Sequence, residues 1–90
     1  MKSNVAETSL EAYHKIELNL GKTRATVYRV FTSNPDMSYT DRNLAYILNW
    51  TINRVTPRRG ELAKLNLIVK AGVVTDPETG MRGNRWRLKK

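Results

Sequence analysis

Arginine side chains are the groups of this 90-residue chain whose spacing suggests chemistry. Arg54, Arg58 and Glu61 lie four and three residues apart, which places them on one side of a helix. A guanidinium group carries a planar fork of N–H donors that matches the two acceptors on the major-groove edge of guanine. We therefore interpret Arg58 as the first candidate for base recognition. The alternative is that Arg58 and Glu61 form a surface salt pair of little energetic value.

The charge of the chain is strongly basic and unevenly distributed. The formal net charge is +8 and the pI is about 10.2. Residues 1–49 hold six Lys/Arg against five Asp/Glu, whereas residues 50–90 hold ten against three. Solubility alone requires no such asymmetry, so the second half predicts a polyanionic partner, with nucleic acid favoured over an acidic membrane surface.

Several classes of function lack the residues they need. The chain has no cysteine and a single histidine, His14, so neither a metal site nor a cofactor is expected. No nucleophile stands beside a base, no carboxylates form a pair, and no glycine-rich phosphate loop is present, so we expect no enzyme and no small-molecule substrate. Short apolar runs and the absence of a secretory pattern predict a cytoplasmic protein without a membrane partner.

Two helices are predicted ahead of the basic region. Residues 8–15 suggest a short helix, interrupted at Asn19 to Gly21. A second helix begins at Lys22 and ends before Asn34-Pro35. Its apolar side recurs at helical spacing, at Val27, Val30 and Phe31.

Two further helices follow, separated by a sharp turn. After a short extended segment at residues 37–39, Thr40 is placed to cap a helix with Asp41 in its first turn. Its inward residues are Leu44, Ala45 and Leu48, and Asn49 should end it. Thr51 or Asn53 can cap the next helix, whose inner side is marked by Val55, Leu62 and Leu65 and which stops at Asn66. Because of Pro57, we expect its regular part to begin near Thr56, after a tighter turn at residues 53–55.

The chain then changes to an extended pattern. Residues 67–75 and 81–88 alternate or are rich in Val and Ile, and the turn-forming residues 76–80 separate them. The pattern predicts a β-hairpin. Trp86 and Leu88 should point to one face, and Arg85 and Arg87 to the other.

These elements and residues resemble the winged helix-turn-helix family. That family places a small residue, an apolar residue, a turn residue, an apolar plug and a cap in series, as at Ala45, Leu48, Asn49, Trp50 and Thr51. The resemblance implies an α+β fold with a three-helix core and a C-terminal two-stranded β-hairpin wing, with room for an extra N-terminal helix. The expected bounds are 1–20 for an N-terminal extension and 21–90 for the winged helix-turn-helix domain.

A narrower resemblance links the chain to small winged-helix proteins of bacteriophages and prophages. It rests on INRVTPRRGEL at residues 52–62, DPETG at 76–80 and WRL at 86–88. Two departures are Arg59, where such relatives carry an aliphatic residue, and Gly60, a poor helix former. The resemblance implies a DNA-binding regulator of transcription, replication or recombination in a bacterial host cell.

Double-stranded DNA is thus the expected partner, with helix and wing sharing the contacts. The helix in the major groove would offer Asn53, Arg54, Arg58, Arg59 and Lys64. The wing would place Lys70, Arg82, Arg85 and Arg87 on phosphates or a minor groove, with Lys89 and Lys90 at the tail. Thr40 and Arg42, with Lys22 and Arg24, would position the backbone at helix starts.

Core packing, rather than stacking on bases, is expected for the aromatic residues Trp50, Trp86, Tyr28, Tyr46 and Phe31.

The N-terminal segment is open to more than one interpretation. Its apolar residues are Leu10, Tyr13, Ile16, Leu18 and Leu20, which suit packing on the body, a homodimer contact or docking of another protein. A protein-interaction adaptor is therefore the main alternative function, and RNA binding a third.

Overall fold

Four helices and a three-stranded antiparallel sheet form residues 4–89, the range that the computed structural model describes. The elements are α1 (Asn4–Leu18), α2 (Lys22–Ser33), β1 (Ser38–Tyr39), α3 (Asp41–Leu48), α4 (Ile52–Lys64), β2 (Ile68–Thr75) and β3 (Arg82–Leu88). The sheet order is β1-β3-β2. The predicted α+β winged-helix arrangement is confirmed, with α2, α3 and α4 as the helical core and β2–β3 as the wing. Residues 1–3 and Lys90, which the predicted bounds 1–20 and 21–90 include, lie outside the described range.

Helix α2 runs through the centre of the core and has the predicted bounds. Val27, Tyr28 and Phe31 are fully buried, while Val30 is partly buried at the edge of the core. The ring of Phe31 meets that of Tyr39 edge to face, with the ring centroids 5.5 Å apart. Strand β1 is thereby packed against α2.

Helix α3 is fixed at both ends by its own residues, as predicted. The Thr40 hydroxyl accepts from the Asn43 amide at 3.0 Å, and the Asn43 side chain accepts from the Thr40 amide at 3.0 Å. This reciprocal capping box satisfies two otherwise unpaired donors. Asn49 ends the helix in the left-handed conformation, at φ 57°. Leu44 is fully buried, and Ala45 and Leu48 pack at the core edge.

Helix α4 starts at Ile52, so the expected start near Thr56 is wrong. The Thr51 hydroxyl accepts from the Arg54 amide at 3.3 Å and starts the helix there. A regular helix from Ile52 onwards also places Val55 and Leu62 two turns apart on one side, and both are fully buried. Pro57 has no N–H to donate to the carbonyl of Asn53, four residues earlier. Both residues are exposed, so water can form a hydrogen bond with that carbonyl instead.

Leu65 does not belong to the inner side of α4, contrary to the prediction. It is the C-cap residue and is 51% exposed. The chain reverses at Asn66, which adopts the left-handed conformation at φ 63°. This reversal turns Leu67 and Ile68 toward the core, and Ile68 takes the buried position instead.

The wing is a continuous hairpin closed by the turn at residues 76–80. The Gly80 amide donates to the Asp76 carbonyl, and the Asp76 amide to the Met81 carbonyl, both at 2.8 Å. Leu88 pairs with Ile68, while Trp86 pairs with Lys70 on one side and Tyr39 on the other. Leu88 is buried and Trp86 partly so, whereas Arg85 and Arg87 are exposed on the opposite face, as predicted.

Helix α1 is longer than the predicted 8–15 and packs on α2. The Tyr13 and Tyr28 rings meet edge to face with centroids 6.3 Å apart, and Glu17 Oε1 lies 3.0 Å from Arg29 Nη2. Leu20 is buried and Ile16 packs against the core, but Leu18 is exposed. The N-terminal segment therefore packs on the body of its own chain, one of the arrangements that the sequence suggested. The side chain of Leu10 lies outside the described part.

The phenol of Tyr28 predicts an alkaline limit to stability. Burial raises the pKa of Tyr28 from 10.0 to about 12, with smaller contributions in the same direction from Tyr13 and Glu17. The folded state thus holds the proton more tightly than the unfolded chain does. Its contribution to stability is complete below pH 10 and is lost as the pH rises through about 12. In urea unfolding across this range, the free energy of unfolding of wild type should fall relative to that of Tyr28→Phe as the pH rises, whereas a constant difference would contradict the assignment. The exposed Tyr46→Phe serves as control.

Two glycine substitutions should change stability in opposite directions. A methyl group added at Gly60, inside α4, or at Gly80, in the wing turn, meets no atom within 4 Å. Gly60→Ala should stabilise the protein by about 0.5–1 kcal/mol, because it reduces the entropy of the unfolded chain. Gly80 has φ +74°, so Gly80→Ala should cost about 1–2 kcal/mol. The melting temperatures of the two variants measure both effects. Equal shifts in the same direction would contradict a helical conformation at Gly60 and a positive φ at Gly80.

Candidate nucleic-acid interface

Helix α4 presents a polar surface because its opposite side is held in the core. Val55 and Leu62 anchor the buried side. Asn53, Arg54 and Lys64 are exposed on the remaining surface, and the Arg58 side chain is 37% exposed. The helix therefore has one anchored side and one side rich in donors, the arrangement that groove binding needs.

Arg54 lies over an aromatic ring at the start of α4. Its guanidinium carbon is 3.9 Å from the centroid of the Trp50 ring. A cation stacked on an indole in this way is held by the ring quadrupole while its edges still face solvent. Trp50 thus serves both as the predicted apolar plug, packed against the core, and as a platform for Arg54.

Arg58 and Glu61 form the side-chain pair that the sequence offered as an alternative. Arg58 Nε lies 3.3 Å from Glu61 Oε1, and Arg24 Nε approaches the same oxygen from α2 at 3.6 Å. That oxygen is shielded from solvent and has no partner with hydrogen-bond geometry among the described residues. Glu61 therefore links α4 to the start of α2 through charge rather than through well-formed hydrogen bonds.

Arg59 is committed to contacts within the protein. Its Nε lies 2.7 Å from Asp41 Oδ1, and its Nη2 lies 3.1 Å from Asp41 Oδ2. Thr56 also donates to Asp41 Oδ2, at 3.0 Å, and the Trp86 ring centroid is 4.4 Å from the guanidinium carbon of Arg59. The structure places Arg59 beside the core, with its Nε and Nη2 paired to Asp41.

This contact between α3, α4 and β3 was missed by sequence reasoning. The available signals were an arginine at a position where relatives carry an aliphatic residue and a carboxylate in the first turn of the preceding helix. From sequence alone, Asp41 is expected only to interact with the helix dipole. A pairing across eighteen residues requires the crossing geometry of α3 and α4, which no local pattern specifies.

The wing cations are exposed but are divided between the two faces of the hairpin. Arg85 pairs with Gly72 and Arg87 with Val69 on the outer face. Lys70 pairs with Trp86, and Arg82 with Thr75, on the inner face. A single row of four wing cations is therefore not formed.

The start of α3 meets the tip of the wing. Arg42 Nε lies 3.2 Å from Asp76 Oδ2, and Arg42 is otherwise exposed. The Thr40 hydroxyl is used by the cap, since it accepts from the Asn43 amide. Of these two predicted residues, Arg42 keeps donors for an external anion.

An open groove of about 1330 Å³ separates the wing from α3 and α4. It brings together some of the predicted site residues, namely Thr40, Arg42, Arg59, Arg82 and Arg85. The others do not line it, namely Asn53, Arg54, Arg58, Lys64, Lys70 and Arg87. Apolar side chains at Ala45, Ile52 and Val73 form part of its walls. The predicted residues thus occupy three surfaces: the groove, the outer side of α4 with Asn53, Arg54, Arg58 and Lys64, and the part of the wing outside the groove with Lys70 and Arg87.

The aromatic residues do not all pack as expected. Tyr28 and Phe31 are buried and the two tryptophans are partly buried, but Tyr46 is 89% exposed. Tyr46 follows the buried Leu44 by two residues, and two residues turn a helix by about 200°. The prediction that Tyr46 packs in the core is therefore wrong.

Neither a metal cluster nor a membrane span is found in the part of the chain that the structure describes. No group of three or more His, Asp or Glu side chains within residues 4–89 could hold a metal ion. None of the helices in this range is long and apolar enough to cross a membrane.

The fold is shared with a solved structure of low sequence identity. A possible transcriptional regulator from Methanosarcina mazei Go1 superimposes with a TM-score of 0.70 at 18% identity. The match covers 90% of this chain and 66% of that one, so this chain spans just under two thirds of its length. No protein-family model and no curated protein matches the sequence.

Loss of the Arg59 guanidinium should destabilise the whole arrangement. Arg59→Met keeps the aliphatic stem but leaves Asp41, whose side chain is only 20% exposed, without its bidentate partner. We expect a loss of about 2 kcal/mol in the free energy of unfolding in urea. The exposed Arg85→Met should stay within about 0.5 kcal/mol of wild type.

A double-mutant cycle separates the pair from its surroundings. The losses in the free energy of unfolding caused by Arg59→Met and Asp41→Asn should be less than additive in the double variant, because either substitution alone already breaks the contact. Strictly additive losses would show that the ion pair contributes nothing of its own.

Proposed function

We propose that this protein binds double-stranded DNA, with α4 in the major groove and the wing on the backbone or in a minor groove. The observation that carries the proposal is the two-sided character of α4. Val55 and Leu62 are fully buried on one side, while Asn53, Arg54, Arg58 and Lys64 project from the rest. A helix held in this way can enter a groove without losing its place in the core.

The proposed division of labour follows from the positions of the cations. Arg58 is the first choice for reading a base, because its terminal fork matches the guanine edge. Arg42, Lys70, Arg82, Arg85 and Arg87 contact phosphates and supply affinity rather than sequence preference. Arg59 supports the interface from within, through Asp41. We propose no catalytic role.

The biological role we propose is regulation of transcription, replication or recombination of a phage or prophage inside a bacterial cell. It is supported by the resemblance of residues 52–62, 76–80 and 86–88 to small phage winged-helix proteins, and by the fold shared with a possible transcriptional regulator. A homodimer through α1 stays a proposal, for which the exposed Leu18 is the available contact. The assignment of 21–90 as the DNA-binding domain is likewise proposed.

Salt dependence and two arginine variants test the DNA-binding proposal. Affinity for a site selected from a random duplex pool should fall steeply and linearly on a logarithmic plot against salt. Arg58→Ala should reduce discrimination between that site and single-base variants by about 1–3 kcal/mol at the guanine it contacts. Arg87→Ala should weaken binding to all duplexes alike and lower the salt slope by about one.

Arg29→Ala provides a matched control. It removes one positive charge on α2, where Arg29 pairs with Glu17 and lines neither the groove nor the outer side of α4. Binding that is the same for wild type and for Arg58→Ala and Arg87→Ala would rule out these surfaces. Stronger binding to structured RNA than to duplex DNA would favour the third interpretation instead.

A further inference from the structure

The shielded oxygen of Glu61 is the least well satisfied polar group of the described residues. Oε1 has no hydrogen-bond partner there, yet two arginines approach it, Arg58 at 3.3 Å and Arg24 at 3.6 Å. Its side chain as a whole is 39% exposed. A carboxylate placed on a surface proposed to meet a polyanion repels that ligand, so its presence there needs a specific reason.

We propose that Glu61 is a positioning residue that orients Arg58 for base recognition and limits binding to other sequences. The inference rests on the proposed DNA-binding function. The inference is based on which nitrogen of Arg58 lies closest to Glu61. Glu61 approaches Nε of Arg58, so the two terminal Nη groups, which form the fork that matches guanine, are left for a ligand.

The other two arginines of α4 are held differently. Arg59 uses both Nε and one terminal nitrogen on Asp41, which breaks up its fork. Arg54 is held by the face of its guanidinium, over the Trp50 ring. Among these three, Arg58 alone is attracted at Nε by a carboxylate through charge, without hydrogen-bond geometry, and no hydrogen bond from its terminal nitrogens is found among the described residues.

Arg24 places a second positive charge beside the same oxygen. It reaches Glu61 from the first turn of α2, so the carboxylate is held from two helices rather than one. A side chain held in this way has fewer rotamers to lose when DNA binds, and the same applies to Arg58. The negative charge of Glu61 also offsets part of the cationic surface and so weakens contacts that do not depend on sequence.

The two roles predict opposite changes in two measured quantities. Glu61→Ala should reduce the ratio of affinities for the selected site and a non-specific duplex by roughly three- to tenfold, part of what a bidentate arginine–guanine pair provides. The same variant should bind the non-specific duplex more tightly, because one repulsive charge is gone. A merely structural carboxylate would not move these quantities in opposite directions.

Glu78→Ala is the matched control for charge. Its carboxylate lies in the exposed wing turn and makes no ion pair within residues 4–89, so the substitution changes the net charge equally. It should tighten non-specific binding without lowering the affinity ratio. Glu61→Gln, which keeps the length and an acceptor oxygen, should retain part of the discrimination, and it carries the test if Glu61→Ala unfolds at a lower temperature than the binding assay requires.

A modified base locates the effect on Arg58. Replacing the contacted guanine by 7-deazaguanine removes the N7 acceptor, which should weaken wild-type binding and affect Glu61→Ala less. An unchanged affinity ratio in both Glu61 variants, with a wild type that discriminates among duplexes, would overturn this inference alone. A wild type that binds no duplex with preference would overturn the proposed function, and this inference with it.

Discussion

The carboxylate of Asp41 is the point at which three elements of the proposed interface are joined. It receives Arg59 through two hydrogen bonds and Thr56 through a third, and the Arg59 guanidinium lies against the Trp86 ring of β3. Since the contact is only partly exposed and bidentate, it fixes direction as well as distance. Together with the buried core, it links α3, α4 and the wing through directional contacts. An aliphatic side chain at residue 59 could fill the space but would form neither of these hydrogen bonds to Asp41.

Carboxylates on this surface repeatedly engage arginines that a polyanion would otherwise attract. Asp41 holds Arg59, Glu61 holds Arg58, and Asp76 of the wing turn holds Arg42. The pairs differ in exposure, and therefore in how easily a phosphate could replace the carboxylate. Arg59 is only 16% exposed, so replacing Asp41 by a phosphate would require opening the protein, whereas Arg42 is largely exposed and can exchange partners at little cost. The same ionic chemistry thus yields a structural contact at one position and an accessible donor at another.

Local sequence rules predicted most of the fold, because most of its boundaries are set by single residues. Thr40 and Asn49 bound α3 as expected, and Asn66 reverses the chain after α4. The errors arose where the outcome depended on packing rather than on propensity. Pro57 suggested a late helix start, yet burial of Val55 required a regular helix from Ile52. For the candidate site, the basic residues and the Arg58–Glu61 pair within α4 could be identified from the sequence. The partners of Arg59 and Arg42 could not, since ion pairs between separate elements leave no periodic signal.

The distribution of cations suggests why helix and wing would contribute differently to recognition. The arginines of α4 are each held by a neighbour, whether a ring or a carboxylate, and so lose little conformational freedom on binding. Arg85 and Arg87 on the outer face of the wing are exposed, and neither has a ring or carboxylate partner among the described residues, although Arg87 Nη1 donates to the Leu88 carbonyl at 3.3 Å. Long side chains without a ring or carboxylate partner suit phosphates, which accept donors over a wide range of geometry, whereas a base edge accepts them only within a narrow one. In the proposed complex with DNA, support by a neighbouring side chain rather than net charge would distinguish the arginines that give specificity from those that give affinity.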